Sequence, residues 1–141
     1  MVNIKTIYRP TRKRAIKIEE SLRSAKDCRD PKTSSGVYRI PCSCGEVYIG
    51  TTKCSINTRI DEHKKHCRVL QGEKSSVAAH VLINRDRRIL FKDTRVLSNI
   101  QHCHTRLHYE AIEIYKHKNC FNKKEGLKVK KVWYPVVNMC R

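Results

Sequence analysis

The sequence predicts a small α/β (α+β) domain in which a three-stranded, mainly antiparallel sheet is flanked by helices. Two short segments rich in β-branched and aromatic residues lie on either side of a turn, which is typical of a β-hairpin. Later segments have the apolar spacing of amphipathic helices. The chain has 141 residues, which is enough for one domain with a tail and too few for two full domains.

The first 35 residues are predicted to be a basic connector with a short helix. A basic run at Arg9–Arg14 precedes a helical pattern at Ala15–Lys26, and Asp30–Ser35 has linker composition. The basic run favours contact with phosphates or a nuclear address, whereas a solvated connector is the alternative. We place the domain boundary near Ser34.

The hairpin is predicted from Val37–Ile40 and Val47–Ile49, with a turn between them. If the hairpin is symmetric about Ser43, Tyr38 lies directly opposite Tyr48. Cross-strand partners share a face of the sheet, so both phenols should project from one surface. The two cysteines of the turn should then lie together at the tip of the hairpin.

Three later segments complete the predicted fold. Ser55 can cap a helix with an apolar stripe, and Arg59 and His63 are neighbours one turn apart at the edge of that stripe. A short helix at Val77–Ile83 carries His80, and Phe91–Leu97 resembles a third strand.

The last predicted helix runs from Cys103 to His117. At about 100° per residue, Glu110 lies beside its apolar face and Glu113 points well away from it. We therefore expect Glu110 to be the acid aimed at the sheet. Residues 126–141 are predicted to be a C-terminal extension that packs on the domain.

The charge of the chain predicts an anionic partner. Lys and Arg number 31 against 13 Asp and Glu, which gives a formal net charge of +18. No apolar run reaches the length of a membrane span and no secretory leader opens the chain, so we expect DNA rather than a membrane. We also expect an intracellular and finally nuclear protein, whose eight cysteines are reduced thiols, some of them metal ligands.

Two tripeptides resemble the paired motif of the GIY-YIG endonuclease superfamily. These are Gly36-Val37-Tyr38 and Tyr48-Ile49-Gly50. Later residues follow the order of the same family, and the resemblance covers roughly residues 36–125, which we expect to be the nuclease domain. The matching later residues are Arg59, His63, Glu110 and Asn122.

A closer likeness is to the C-terminal endonuclease domain of Penelope-like retroelement reverse transcriptases. That group resembles this chain in having two cysteines between the tyrosine motifs and histidines downstream, described as a zinc-finger-like set. The resemblance implies a nick that exposes a 3′ hydroxyl and primes reverse transcription. Its partners would be DNA, with RNA or a reverse transcriptase domain of the same element.

The resemblance implies a role for each matching residue. Glu110 would bind one Mg²⁺ or Mn²⁺ and Arg59 would pair with the scissile phosphate. Tyr38 and Tyr48 would position the attacking water, and one phenol would deprotonate it after a metal and an arginine lower its pKa. His63 would relay the proton.

These residues also have structural explanations. Asn122 is expected to orient backbone, and the tyrosines could be ordinary strand aromatics. Arg59 could pair with Glu62 or Asp61, His63 could be a satisfied core histidine, and Glu110 could be a surface acid that faces Arg106.

Zinc is the second expected metal. The predicted ligands are Cys42, Cys44, His63 and His80, against the alternative of simple reduced thiols. Cys42 and Cys44 are closer in sequence than most structural zinc ligands, and His66 or Cys67 could replace a histidine. His63 cannot be both a zinc ligand and a free proton relay.

The predicted function is therefore metal-dependent DNA nicking by phosphodiester hydrolysis. One alternative is a catalytically inactive, zinc-stabilised module that binds nucleic acid. A departure from the family pattern supports this alternative. The family often has a lysine or a similar donor directly after the second tyrosine motif, whereas here Thr51 and Thr52 come before Lys53. A structure-selective repair nuclease of the same fold is the other alternative.

Overall fold

The structure is a computed structural model that describes residues 30–123 and 126–140. The predicted basic run at Arg9–Arg14 and the helix at Ala15–Lys26 lie outside these residues. The predicted fold class is confirmed, since the described residues form a three-stranded antiparallel sheet and four α-helices. The strands are β1 (Gly36–Pro41), β2 (Val47–Thr52) and β3 (Arg95–Ser98), and the helices are α1 (Ile56–Arg68), α2 (Ser76–Ile83), α3 (Cys103–Lys116) and α4 (Tyr134–Met139).

The sheet has the strand order β2-β1-β3, with β1 in the centre and antiparallel to both neighbours. The predicted register of the hairpin is wrong by one pair, because Tyr38 lies opposite Gly50 and Tyr48 lies opposite Ile40. Tyr38 and Tyr48 are therefore diagonal neighbours. They still share a face. Ile40 is two residues from Tyr38 in β1, so these two side chains point the same way, and Tyr48 lies directly opposite Ile40.

The register differs because the turn is centred on Cys44 rather than on Ser43. The Cys42 carbonyl accepts the Gly45 N–H at 3.1 Å, and the Cys42 N–H donates to the Glu46 carbonyl at 2.9 Å. Gly45 has a φ of +86°, the left-handed conformation that closes a three-residue hairpin loop and suits glycine best.

Helix α1 covers the tyrosine face of the sheet. It begins where predicted, with the Ser55 side chain accepting the Thr58 N–H, and it buries Ile56 and Ile60 against Tyr38 and Ile40. Each such side chain removed from water contributes about 1.5–3 kcal/mol. This packing fixes the side of α1 that faces the sheet, and so it places Arg59 and His63.

Two details of the later elements differ from the prediction. The third strand starts later than expected, because Phe91–Asp93 forms a short 3-10 helix before β3. Glu113 does not point away from the packed side of α3 but is only 8% exposed. It pairs there with Lys116 at 3.2 Å.

The buried position of Glu113 arises because the C-terminal residues form another layer on α3. Tyr134 of α4 stacks on Tyr115 of α3, with ring centroids 4.5 Å apart, and Val137 is buried. Sequence periodicity shows one apolar face of α3, whereas the structure packs elements on more than that face.

Two general expectations can be compared with the described residues. The seven cysteines among them are all free thiols. Among the described residues, no helix is both long enough and apolar enough to cross a membrane.

Gly36 should be intolerant of any side chain. A Cβ at this position would collide with the backbone carbonyl of Ser98 and lie 3.1 Å from the Asn99 Cα. Because backbone atoms cannot move aside cheaply, Gly36→Ala should lower the free energy of unfolding by about 1–3 kcal/mol in urea denaturation. Gly126→Ala is the control, since a Cβ added there would have nothing within 4 Å; equal stability of the two variants would contradict this account.

Candidate active site and metal centre

Five of the predicted catalytic side chains lie close together, and we call them the tyrosine cluster: Tyr38, Tyr48, Arg59, His63 and Glu110. The tyrosine rings are 6.3 Å apart between centroids, and the His63 ring meets the Tyr48 ring edge-on at 5.2 Å. Arg59 and Glu110 are near enough to act on the pKa of both phenols. The cluster draws on β1, β2, α1 and α3, so the fold alone brings these residues together.

His63 is buried and both of its ring nitrogens are hydrogen-bonded. Nε2 lies 2.9 Å from the Tyr38 hydroxyl and Nδ1 lies 2.8 Å from the Ser75 hydroxyl. Burial and the nearby Arg59 guanidinium lower the pKa of His63 to about 4, so the ring is neutral at neutral pH. His63 is thus a satisfied core histidine, as the structural explanation expected, and it also contacts the cluster.

Ser75 links His63 to the start of α2. The Ser75 oxygen accepts the Ala78 N–H, and the same hydroxyl lies 2.8 Å from His63 Nδ1. A hydroxyl oxygen can accept two hydrogen bonds as well as donate one, so the neutral ring can carry its proton on either nitrogen. In either tautomer His63 holds the Tyr38 oxygen in place through Nε2.

The two phenols differ in their access to solvent. Tyr38 is 0% exposed, whereas Tyr48 is half-buried and its hydroxyl bonds to none of the described residues. Burial raises the pKa of both phenols, and the opposing effect of Arg59 is smaller. Desolvation thus outweighs the single positive charge of Arg59, and the expectation that a metal and an arginine together lower a phenol pKa stays a prediction.

Arg59 is oriented by an acid on its own helix. Its guanidinium forms an ion pair with Glu62, one turn further along α1, as the structural explanation predicted. The Arg59 side chain is 33% exposed, so solutes can reach it. A guanidinium in this position has one carboxylate partner to exchange for a phosphate.

Glu110 is not the surface acid that its structural explanation described. It is half-buried on α3, and burial raises its pKa to about 7 despite the nearby Arg106. Arg106 instead donates to the carbonyls of Ile100 and Gln101 at 3.2 and 3.1 Å. A desolvated carboxylate that forms no ion pair gains stability in its ionised form when a cation binds.

Asn122 binds backbone. Its side-chain oxygen accepts the Ile49 N–H at 3.0 Å, and its side-chain nitrogen donates to the Ile49 carbonyl. The amide thereby pairs with β2 as a neighbouring strand would, next to Tyr48. This contact orients backbone, which is the role expected for Asn122.

A separate group at the tip of the hairpin could hold a metal such as zinc. The ligand atoms of Cys42, Cys44 and His80 all lie within 4.8 Å of one another, and the Cys44 sulfur is 3.3 Å from His80 Nε2. Three of the four predicted zinc ligands are therefore together. His63 as the fourth ligand is wrong, because both of its nitrogens are engaged with Tyr38 and Ser75.

Neighbouring residues hold His80 in position. Phe121 stacks on its ring at a centroid distance of 3.8 Å and an interplanar angle of 10°. Arg87 lies 3.2 Å from His80 Nδ1, on a loop fixed to the hairpin turn by two hydrogen bonds between Ser43 and Arg88. Phe121 also lies 5.9 Å from the ring of Tyr48, and so it joins the metal group to the tyrosine cluster.

Two residues with no predicted role at either site make contacts that position the site residues. Ser75 bonds His63, and its only signal in the sequence is its suitability as a helix cap. Phe121 stacks on His80, and its only signal in the sequence is its position next to Asn122, which follows the order of the family. Neither contact could be read from spacing, because each joins segments far apart in the chain.

Comparisons with protein-family models, with curated proteins and with solved structures gave no match to this chain. The resemblance to GIY-YIG endonucleases therefore rests on the motifs of the sequence and stays a prediction.

The raised pKa of Glu110 predicts a pH-dependent stability. The folded state favours the protonated carboxyl, so this stabilisation is complete below about pH 4.5 and is lost as the pH rises through about 7. Without added divalent cations, the wild type should lose stability relative to Glu110→Gln between pH 5 and 8, as measured by urea unfolding. The lowered pKa of His63 changes the stability in the opposite direction over part of this pH range, but it does so in both the wild type and Glu110→Gln. Parallel curves for the two proteins would show that Glu110 is not desolvated.

Proposed function

We propose that this chain is a divalent-metal-dependent DNA endonuclease that nicks DNA by phosphodiester hydrolysis, with a GIY-YIG-like active site. The observation that carries the proposal is the convergence of the tyrosine cluster from four separate elements. Two phenols, a guanidinium, a neutral imidazole and a desolvated carboxylate meet there. These are the groups needed to bind a phosphate, orient a water and hold a cation.

Arg59 would bind the scissile phosphate. A phosphate that reaches the cluster can replace the Glu62 carboxylate as the partner of the guanidinium, since both anions accept paired N–H donors. The positive charge would then lie beside the phosphate as it gains negative charge in the transition state.

Tyr48 would orient the attacking water. It is the phenol with solvent access and an unengaged hydroxyl, whereas Tyr38 is buried and bound to His63. Tyr38 and His63 would hold the Tyr48 ring from two sides, with Ser75 fixing the orientation of His63. The positive charge of Arg59 favours the ionised form of Tyr48. Tyr48 must be ionised before it can take a proton from water.

Glu110 would hold the catalytic cation. A Mg²⁺ or Mn²⁺ bound there would supply positive charge to the phosphate and the leaving oxygen. Hard cations prefer oxygen ligands, and a single carboxylate leaves the remaining positions to water and phosphate. The raised pKa of Glu110 supports this role, because a bound cation would compensate the desolvation of the carboxylate.

We further propose that the metal at Cys42, Cys44 and His80 is zinc with a structural role. Thiolate and imidazole are the ligands that zinc prefers. Burial, with a smaller contribution from Arg87, lowers the pKa of His80, which favours the neutral ring that binds metals. The ion would join the hairpin to α2, next to a loop with the exposed cations Arg85 and Arg88.

The DNA would be held mainly through its backbone. The net charge of +18 supports phosphate contacts, which predict an affinity that falls steeply with salt. By its sequence resemblance, the chain would act in the nucleus as the endonuclease part of a Penelope-like retroelement. Its nick would prime reverse transcription, with RNA or the polymerase of the element as further partners.

A catalytically inactive, zinc-stabilised module that binds nucleic acid is the second candidate. Two observations favour it. The pKa of each phenol is raised rather than lowered, and Arg59 is already paired with Glu62. Such a module would keep the fold and the affinity for DNA without cleavage.

Nicking of supercoiled plasmid tests the proposal. The wild type should nick in Mg²⁺ and not in EDTA, and Glu110→Ala should reduce the rate by about 10²-fold or more, as the loss of a charge-stabilising group in an active site typically does. Glu73→Ala is the matched control, because it removes an exposed acid outside the cluster.

Equal nicking by the wild type and Glu110→Ala would refute the metal role of Glu110. No nicking by the wild type, with salt-sensitive DNA binding retained, would favour the inactive module.

A further inference from the structure

We propose that Glu46 is the fourth ligand of the metal group at the hairpin tip, which would make the site Cys42, Cys44, His80 and Glu46. The inference rests on the proposed zinc site and is independent of nuclease activity. Glu46 Oε2 lies 3.6 Å from the Cys44 sulfur and 3.7 Å from His80 Nε2. One carboxylate oxygen thus lies next to two of the three ligands already identified.

The separations among Cys44, His80 and Glu46 agree with a tetrahedral zinc ion. Glu46 lies outside the 4.8 Å that joins the Cys42 sulfur to the ligand atoms of Cys44 and His80, so its carboxylate must move towards Cys42 when the metal binds. With zinc–sulfur bonds of about 2.3 Å and zinc–nitrogen or zinc–oxygen bonds of about 2.0 Å, sulfur and a light atom are about 3.5 Å apart, and nitrogen and oxygen about 3.3 Å. The distances from Cys44 to Glu46 and from Cys44 to His80 are 3.6 and 3.3 Å. The separation between His80 and Glu46, 3.7 Å, needs only a small contraction.

The hairpin turn presents Glu46 to the site. Cys42 and Glu46 pair across the turn through the backbone bond that closes it, so their side chains leave the same face. Cys44 lies at the tip between them, and the left-handed Gly45 allows the chain to return within three residues. One short turn therefore supplies three ligands, and α2 supplies the fourth.

The charges around the site are complementary to this ligand set. Two thiolates and a carboxylate exceed the charge of Zn²⁺ by one negative unit. The Arg87 guanidinium lies 3.8 Å from Glu46 Oε2 and can balance that unit. When His80 binds metal through Nε2, its Nδ1 carries a proton. Arg87 must then leave Nδ1, and Glu46 is its remaining acidic partner in the site.

Zinc affinity, measured on the full chain by competition with a chromophoric chelator, tests this inference. Glu46→Ala and Glu46→Gln should each raise the dissociation constant by about tenfold or more, since losses around a metal centre typically cost 10–100-fold. Glu73→Ala controls for the loss of one acidic charge and should bind zinc as the wild type does.

Glu46→His separates a ligand from a nearby charge. An imidazole can replace the carboxylate as a zinc ligand without its negative charge, so this variant should keep an affinity within a few-fold of the wild type. Glu73→His is its matched control. If Glu46 acted only through its charge, the histidine variant would lose affinity as the glutamine variant does.

Three results would overturn the inference. Wild-type affinity in Glu46→Ala and Glu46→Gln would leave solvent as the fourth ligand of a three-residue site. Weak binding by Glu46→His, with the fold intact by circular dichroism, would reduce Glu46 to an electrostatic role. A wild-type protein that binds no zinc would remove the metal site itself, whereas plasmid nicking could still be observed.

Discussion

The pairing of β1 with β2 is the constraint on which both candidate sites depend. Its register puts Tyr38 opposite Gly50 and Tyr48 opposite Ile40, so both phenols lie on the face that α1 covers. Gly50 leaves the space that the two rings occupy, because a Cβ there would lie 2.7 Å from the Tyr38 hydroxyl. The turn that sets this register also carries the cysteines of the metal group. A shift of one residue in the pairing would put Tyr38 and Tyr48 on opposite faces of the sheet.

The two sites are physically joined through Phe121. Its ring stacks on His80 and lies against Tyr48, and its backbone N–H bonds the Val47 carbonyl at 3.1 Å. A metal at the hairpin tip would restrict His80, and through Phe121 it would restrict the position of Tyr48. Under the proposed function, a structural ion and a catalytic phenol would in this way depend on each other although they perform different chemistry.

Local signals in the sequence predicted much of the fold. The cap at Ser55 and the helix that follows are governed by neighbouring residues, so they could be read directly. The hairpin register was missed because the left-handed Gly45 moves the centre of the turn by one residue. Contacts between distant segments were not readable from spacing: Ser75 with His63, Phe121 with His80, and the C-terminal layer that buries Glu113. The tyrosine cluster was foreseen through its family resemblance, since its members come from separate elements.

The distinction between an enzyme and a binding module depends on Tyr48, the one phenol of the pair that solvent reaches. The most direct measurement is single-turnover cleavage of a DNA duplex in Mg²⁺ by Tyr48→Phe, with DNA affinity measured separately and Tyr109→Phe as the control. If Tyr48 orients and deprotonates the water, cleavage should fall by about 10²-fold or more with unchanged affinity, the range for loss of a general base. Unchanged cleavage, or DNA binding without cleavage in the wild type itself, would contradict the account.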